Sequence, residues 1–217
     1  MNVTKLIIED FRNKSDLYRD YGIVVNNLLS SLLEKGKYKH QLTHRIKNLE
    51  SLKEKIKRKK LAGRIYRRLS DIEDVVGMRI VFYTETDRKN FIHDLSRSLH
   101  GTLQLQEREK ASGYRSTHAI VVFGSDRTRL DEYKRFRGLK CEVQMTLFLN
   151  HAWAEVEHDI FYKEGQQIQE INKEKYLSLK KRMEQVMRNY IQKASAGLES
   201  IVRNIRKLET EKQKVKI

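Results

Sequence analysis

Proline is absent from all 217 residues, cysteine and tryptophan occur once each, and 29 acidic side chains face 45 lysines and arginines. Without proline the commonest loop punctuator is gone, which fits long helices joined by short turns that contain glycine or serine. The single cysteine, Cys141, excludes an intrachain disulfide and gives no sign of an oxidising compartment. Its position in an apolar run between Lys140 and Glu142 predicts a small, buried strand residue. No apolar stretch approaches the ~18 residues of a membrane span, and the N-terminal residues lack the apolar core of a signal peptide. A cytoplasmic protein without a membrane partner is therefore expected.

What the chain has in excess is positive charge: a formal net charge of +16 and a pI near 9.8. Such a field attracts polyanions before any specific contact forms, so a nucleic acid or a highly phosphorylated substrate is favoured. An acidic protein partner would also answer to it, and charge alone does not separate the two. Residues 35–68 hold fourteen lysines and arginines against two acids, Glu50 and Glu54, the densest positive segment of the protein. The length suits one substantial domain with helical flanks. We divide it into an N-terminal helical segment, 1–40, a core, 41–165, and a C-terminal helical extension, 166–217.

Apolar periodicity predicts a helix from Asp16 to about Leu33, ended by Gly36, and a second helix marked by Ile46, Leu49, Leu52 and Ile56. Short β-branched or aromatic runs predict buried strands at 79–83, 118–123 and 139–145, and alternation predicts another at 103–106. Phe91, Ile92, Leu95 and Leu99 share one face of a helix over 88–99. The order helix, strand, helix, strand, strand, strand, helix describes an α/β (α+β) fold, a mixed central β-sheet flanked by helices. Beyond Lys163 a long charged helix is expected from Tyr176 to Leu208, broken at Gly197, with Lys212, Lys214 and Lys216 in a frayed basic tail.

Three segments set charged or hydrogen-bonding groups beside apolar runs: Asp74-Val75-Val76-Gly77-Met78-Arg79-Ile80, Ser112-Gly113-Tyr114-Arg115-Ser116-Thr117-His118, and Glu142-Val143-Gln144 running on to His151 and Glu157-His158. Phosphoryl transfer to a hydroxyl needs a divalent cation, positive groups around the phosphates and a positioner for the hydroxyl. Asp74 and Glu142, each at the edge of an apolar run, are the best metal-ligand candidates; an acid there is otherwise a solvated rim residue. Ser51, Lys55 and Arg58 fall one helical turn apart on one face, which can hold a triphosphate or simply face water. Tyr114, at a loop-strand junction, either stacks a base or covers the core. On one helix, Trp153 and Val156 are expected to pack inward. His151, Glu155 and His158 have a spacing that zinc can use, but nothing suggests a further ligand.

Together these segments resemble the synthetase domain of the RelA/SpoT family, pyrophosphokinases that move a diphosphate from ATP to a ribose 3′-hydroxyl. The resemblance spans about Arg45 to Lys163 and implies a nucleotidyltransferase-like core that uses Mg²⁺. Asp74 matches the magnesium aspartate before Gly-x-Arg, and Glu142 matches the glutamate of Glu-x-Gln, which serves the metal or the attacking hydroxyl. Arg45, Lys47, Ser51, Lys55 and Arg58 match the ATP-binding Arg-x-Lys and Ser-x-x-x-Lys-x-x-Arg elements, and Arg79 the arginine that lies against adenine. The resemblance makes Tyr114 the platform for the acceptor base, with Lys110, His118, Gln144, His151 and Glu157 as further acceptor-side residues and His158 as a structural histidine.

The family pattern of arginine then threonine after Glu-x-Gln-x is replaced here by Thr146 and Leu147, and Gln104-Leu105-Gln106 stands where Asp-Tyr-Ile often occurs. These departures leave the donor elements intact and bear on the acceptor. The family contains synthetases that modify GDP or GTP and small toxic members that modify the 3′-terminal adenosine of tRNA. A field of +16 favours tRNA, with Lys57, Lys59, Lys60, Arg64, Arg67 and Arg68 as backbone contacts. A toxin of this kind implies an antitoxin protein, and the C-terminal helices are a surface for it or for self-association. The alternatives are a (p)ppGpp synthetase, a non-catalytic RNA-binding module, and a coiled-coil adaptor that would leave the central motifs unexplained.

Overall fold

The first element, α1 (Val3–Lys35), buries Ile7, Phe11, Tyr18, Tyr21, Val25, Leu29 and Leu33 along one face. Spacings of three, four and seven residues keep these side chains on one stripe. It begins well before the expected Asp16, because Ile7 and Phe11 extend the stripe through residues whose apolar run masks the period. The structure, a computed structural model, describes residues 3–99 and 101–215.

After α1 come β1 (His40–Ile46), α2 (Leu49–Leu61), β2 (Val76–Phe82), α3 (Glu85–Ser98), β3 (Gly101–Glu109) and β4 (Arg115–Phe123). Two single-turn helices, α4 (Ser125–Thr128) and α5 (Asp131–Lys134), lead to β5 (Cys141–Leu147) and α6 (Phe148–Val156). The five strands form one mixed sheet in the order β1-β2-β5-β4-β3. β4 and β5 run antiparallel, with His118 opposite Gln144 and Ile120 opposite Glu142. β1 was not expected: as an edge strand it carries His40, Gln41, Thr43, His44 and Arg45 and buries little, so its alternation is invisible. Ile46 therefore closes a strand, and the second helix starts at Leu49 behind the N-cap Asn48, whose side chain accepts from the Ser51 amide at 2.8 Å.

The chain divides into two compact units, Met1–Ile80 with Phe91–Gln106 and Thr117–Met145, and Val81–Asn90 with Glu107–Ser116 and Thr146–Ile217. In the first, Tyr21 is fully buried, donates to the Val121 carbonyl at 3.2 Å and meets Phe123 edge-on, ring centroids 5.2 Å apart. Gly22 lets α1 approach β1, since a Cβ there would lie 2.9 Å from Ile46 Cδ1. Cys141 is buried on β5 as expected, and burial pushes its thiol pKa well above the usual range.

The second unit is built on helices. A π-helical segment, Glu157–Glu164, follows α6; then come α7 (Gly165–Ile171), α8 (Lys173–Val186), a second π segment, Met187–Ile191, and α9 (Gln192–Val215). The break lies at Asn172, which caps α8 by accepting from the Lys175 amide at 2.9 Å, and Gly197 sits inside α9. A glycine costs a helix only ~1 kcal/mol, so good neighbours carry it. Lys212 and Lys214 belong to α9 and not to a frayed tail, while Lys216 lies outside the described residues. Leu198, Ile201, Ile205 and Leu208 form a stripe along α9 that is 50–65% exposed.

α9 is fastened to the start of α3. Glu199 accepts from the amides of Glu85 at 2.7 Å and Thr86 at 3.3 Å and from the Thr86 hydroxyl, putting an anion where a helix N-terminus favours one. Seven residues on, Arg206 grips the buried carboxylate of Asp87 through both oxygens, at 2.7 and 2.9 Å.

Candidate active site

In the first unit, β1, β2 and β5 lie side by side, and residues two apart on a strand share a face. That geometry puts Thr43 and Arg45 of β1, Gly77 and Arg79 of β2, and Glu142 and Gln144 of β5 around one pocket, whose lining is completed by His44 and Met78 between them and by Asp74 from the loop before β2. Five residues singled out by motif, Arg45, Asp74, Arg79, Glu142 and Gln144, thus share a lining. Thr43, His44 and Met78 were not foreseen; the first two sit on the strand that the sequence hid.

Asp74 is 15% exposed and lies between two ammonium groups, Lys55 Nζ at 2.6 Å from Oδ1 and Lys47 Nζ at 3.2 Å from Oδ2. The lysine side chains are 17% and 9% exposed, so the charges are largely withdrawn from water. Oδ1 is fully shielded and takes no directed hydrogen bond; the Lys55 contact is an ion pair only. Lys47 follows β1, whose end is held to β2's approach by the bond from its amide to the Val75 carbonyl at 2.9 Å, and Lys55 comes from α2.

Glu142 is 9% exposed and fixed at both oxygens. His118 Nδ1 lies 3.0 Å from Oε1, and Gln144 Nε2 donates to Oε2 at 2.8 Å. Because an ionised carboxylate only accepts, Nδ1 of His118 carries the hydrogen in this contact. The pairing is a diagonal one on a single sheet face, since His118 stands opposite Gln144 in the β4–β5 register. Ser51 and Arg58 share the α2 face with Lys55 at spacings of four and three, but neither lines the pocket; Arg58 is exposed in the last turn. Lys57, Lys60, Arg64, Arg67 and Arg68 are exposed and Lys59 is half-buried, along the end of α2 and the irregular segment after it.

The acceptor-side candidates fall in both units. His118 and Gln144 belong to the first, as described; Lys110, Tyr114, His151 and Glu157 belong to the second. There Tyr114 stacks on Trp153, centroids 6.0 Å apart and planes 22° off parallel. Lys110 pairs with Glu157 and holds its ammonium 5.4 Å from the centre of the Tyr114 ring. Tyr114 follows a tight turn in which the Gly113 amide donates to the Lys110 carbonyl at 2.8 Å, with Gly113 at φ +88°, the left-handed region glycine favours. His151 pairs with Glu155 at 3.5 Å.

One inward-facing expectation is corrected. Val156 is 44% exposed while Trp153 is buried, because α6 gives way to the wider π turn at Glu157 and the α-helical phase ends there. His158, in that π segment, has a side chain 61% exposed and pairs with Asp159 at 3.0 Å.

A family profile described as "Region found in RelA / SpoT proteins" matches residues 44–167, more than half of the chain. The chain belongs to the RelA/SpoT family. Among its relatives is the GTP pyrophosphokinase YwaC of Bacillus subtilis, 26% identical over 175 residues that cover 75% of this chain and 80% of the relative. A GTP pyrophosphokinase family protein from Streptococcus pneumoniae superposes with a TM-score of 0.58 at 25% identity, covering 86% of this chain and 97% of that one. The small alarmone synthetase 1 of Bacillus subtilis, also solved with its product pppGpp and with AMPCPP, shares the fold with a TM-score of 0.68 at 20% identity, over 92% of this chain and 99% of that one. As a member of the RelA/SpoT family, the chain is a pyrophosphokinase. No described helix is long and apolar enough to cross a membrane.

Proposed function

We propose that this pyrophosphokinase moves the β,γ-diphosphate of ATP to the ribose 3′-hydroxyl of the 3′-terminal adenosine of tRNA, and so stops translation in the cytoplasm as the toxin of a toxin–antitoxin pair. The observation that carries the acceptor choice is the exposed basic run Lys57, Lys60, Arg64, Arg67 and Arg68, with half-buried Lys59, in a chain of net charge +16. A free nucleotide needs no such field, whereas a tRNA backbone gains counterion release at each phosphate neutralised. Thr146 and Leu147, where alarmone synthetases carry arginine and threonine, support the same choice.

In this reading Arg45, Lys47, Ser51, Lys55 and Arg58 hold the donor phosphates and Arg79 lies against the adenine. Asp74 and Glu142 would hold Mg²⁺. They suit it in kind: both are hard carboxylate donors, Asp74 Oδ1 has a buried lone pair without a directed hydrogen bond, and Mg²⁺ is usually held by one or two carboxylates together with substrate phosphates. When bound, the ion neutralises charge on the phosphates as the bond to the leaving group lengthens. The acceptor base stacks on Tyr114, with Lys110, His118, Gln144, His151 and Glu157 contributing contacts. The 3′-oxygen forms its bond to the β-phosphorus, the bridging oxygen departs with AMP, and Glu142 takes the hydroxyl proton. His118 and Gln144 orient that carboxylate.

The likeness to the GTP pyrophosphokinase favours a second reading, in which GDP or GTP is the acceptor and the product is (p)ppGpp. The two are separated by offering deacylated tRNA, GDP and GTP in parallel to ATP labelled at the γ-phosphate. Label on tRNA that disappears when the terminal adenosine is removed supports the first; label on GDP or GTP alone overturns it. The exposed stripe of α9 offers a surface to an antitoxin or to a second copy.

A further inference from the structure

The turn that presents Tyr114 is held from far along the chain. Arg188, in the second π segment, donates to the Ala111 carbonyl, and Gln192, the first residue of α9, donates to the Gly113 carbonyl at 2.8 Å. The π segment is defined by a wide turn that ends there, the Gln192 amide bonding to the Met187 carbonyl five residues back. Such wide turns recur at functional sites. We propose that Arg188 and Gln192 are positioning residues for the acceptor: they fix the turn that sets the orientation of the Tyr114 ring. The inference rests on the reading that Tyr114 stacks on the acceptor base.

The Gly113 carbonyl and the Tyr114 amide belong to one planar peptide unit, so a bond that fixes the carbonyl also fixes the plane from which Tyr114 departs. Ser112 Oγ steadies the other side of that plane by accepting from the Tyr114 amide at 3.4 Å. Glycine is required for the grip as well as for φ: a Cβ on Gly113 would lie 2.7 Å from Gln192 Nε2 and 3.4 Å from Arg188 Cγ. Both tethers act on carbonyls at the tip of the hairpin, between Lys110 and Tyr114, where the strand ladder supplies no donor. With the tip held, the Tyr114 ring keeps its place over Trp153 and under the Lys110 ammonium. Without the tethers the turn keeps its own Lys110–Gly113 bond but gains freedom in the plane that aims the ring.

The test compares the full chain with Gln192→Ala, Arg188→Ala and Arg188→Lys, using whichever acceptor the transfer assay identifies. The loss of one hydrogen bond that orients the platform should raise the acceptor KM about fivefold to tenfold in Gln192→Ala, with the ATP KM within about twofold of wild type. Arg188→Lys, which still donates to Ala111, should recover most of what Arg188→Ala loses. Trp153 is the only tryptophan, so its fluorescence reports on the stack without reference to turnover; in Gln192→Ala its emission should shift and acrylamide should quench it more readily. Unchanged emission, or acceptor and ATP constants that rise together with a fall in Tm, would show α9 to be a general support and overturn the proposal. If the enzyme accepts no tRNA but does accept GDP or GTP, the acceptor reading fails while the Trp153 comparison still decides the role of these two residues.

Discussion

Replacing Asp74 with Asn removes one negative charge from between two ammonium groups that sit 2.6 and 3.2 Å from it. Breaking a fully buried ion pair costs ~3–5 kcal/mol, and losing an exposed one costs ~0–1 kcal/mol. The three side chains here are 9–17% exposed, near the buried limit, and the amide oxygen of Asn still accepts from one lysine. An intermediate loss of about 2–3 kcal/mol follows, which for a chain of this size lowers Tm by about 4–12 °C. The stranded charge is of the kind that a triphosphate neutralises. Magnesium-free ATP at ~100 times the wild-type Kd adds about 2.7 kcal/mol to the wild type; the variant, with a stranded positive charge for the triphosphate to neutralise, should bind it more tightly and so gain more in Tm at the same concentration. On the role proposed for Asp74, transfer, in contrast, should be lost even at saturating ATP. Thermal melts with and without ATP, beside the labelled-transfer assay, read all three quantities. A Tm within about 1 °C of wild type, or undiminished turnover, would refute the assignment of Asp74.

Reversing the charge of Lys57, Lys60, Arg64, Arg67 and Arg68 should impair transfer to tRNA far more than transfer to GDP and should flatten the salt dependence of tRNA binding; equal losses on both acceptors would count against the tRNA reading. Arg206→Ala strands the buried Asp87 carboxylate and should cost more, by chemical denaturation, than Glu199→Ala, which removes a helix-terminus anion worth ~1 kcal/mol. Cys141, its thiol pKa raised by burial and by Glu142, stays protonated at pH 8 and should not react with a disulfide reagent until guanidinium unfolds the chain; fast labelling of the native protein would contradict its burial.

The sequence reveals those parts whose signal is local. β2, β4 and β5 are buried on both faces and appear as apolar runs, and α1 appears wherever its stripe is not masked by neighbouring apolar residues. β1 does not appear because an edge strand has no need of alternation, yet it carries Arg45 and two further pocket residues. The break at Asn172 looks like any capping asparagine, while Gly197 draws attention that its position within α9 does not merit. The edges of apolar runs pointed to Asp74 and Glu142, and the family resemblance to Arg45, Arg79 and Gln144; that they line one pocket follows from the strand order, which no local pattern encodes. The contacts of Arg188, Gln192, Glu199 and Arg206 join residues 77 to 119 positions apart, beyond the reach of any periodicity.

The same long separations give the fastening of α9 a meaning in time. A ribosome that has just made Gly113 must add 79 residues before Gln192 exists to hold it, and 119 separate Asp87 from Arg206. At ~5–20 residues per second the first interval lasts about 4–16 s. During that interval the N-terminus of α3 lacks Glu199 and the turn before Tyr114 has no tether. A pyrophosphokinase of this family thus gains the bracing of its Tyr114 turn only late in its synthesis, after every residue that lines the Asp74–Glu142 pocket has been made.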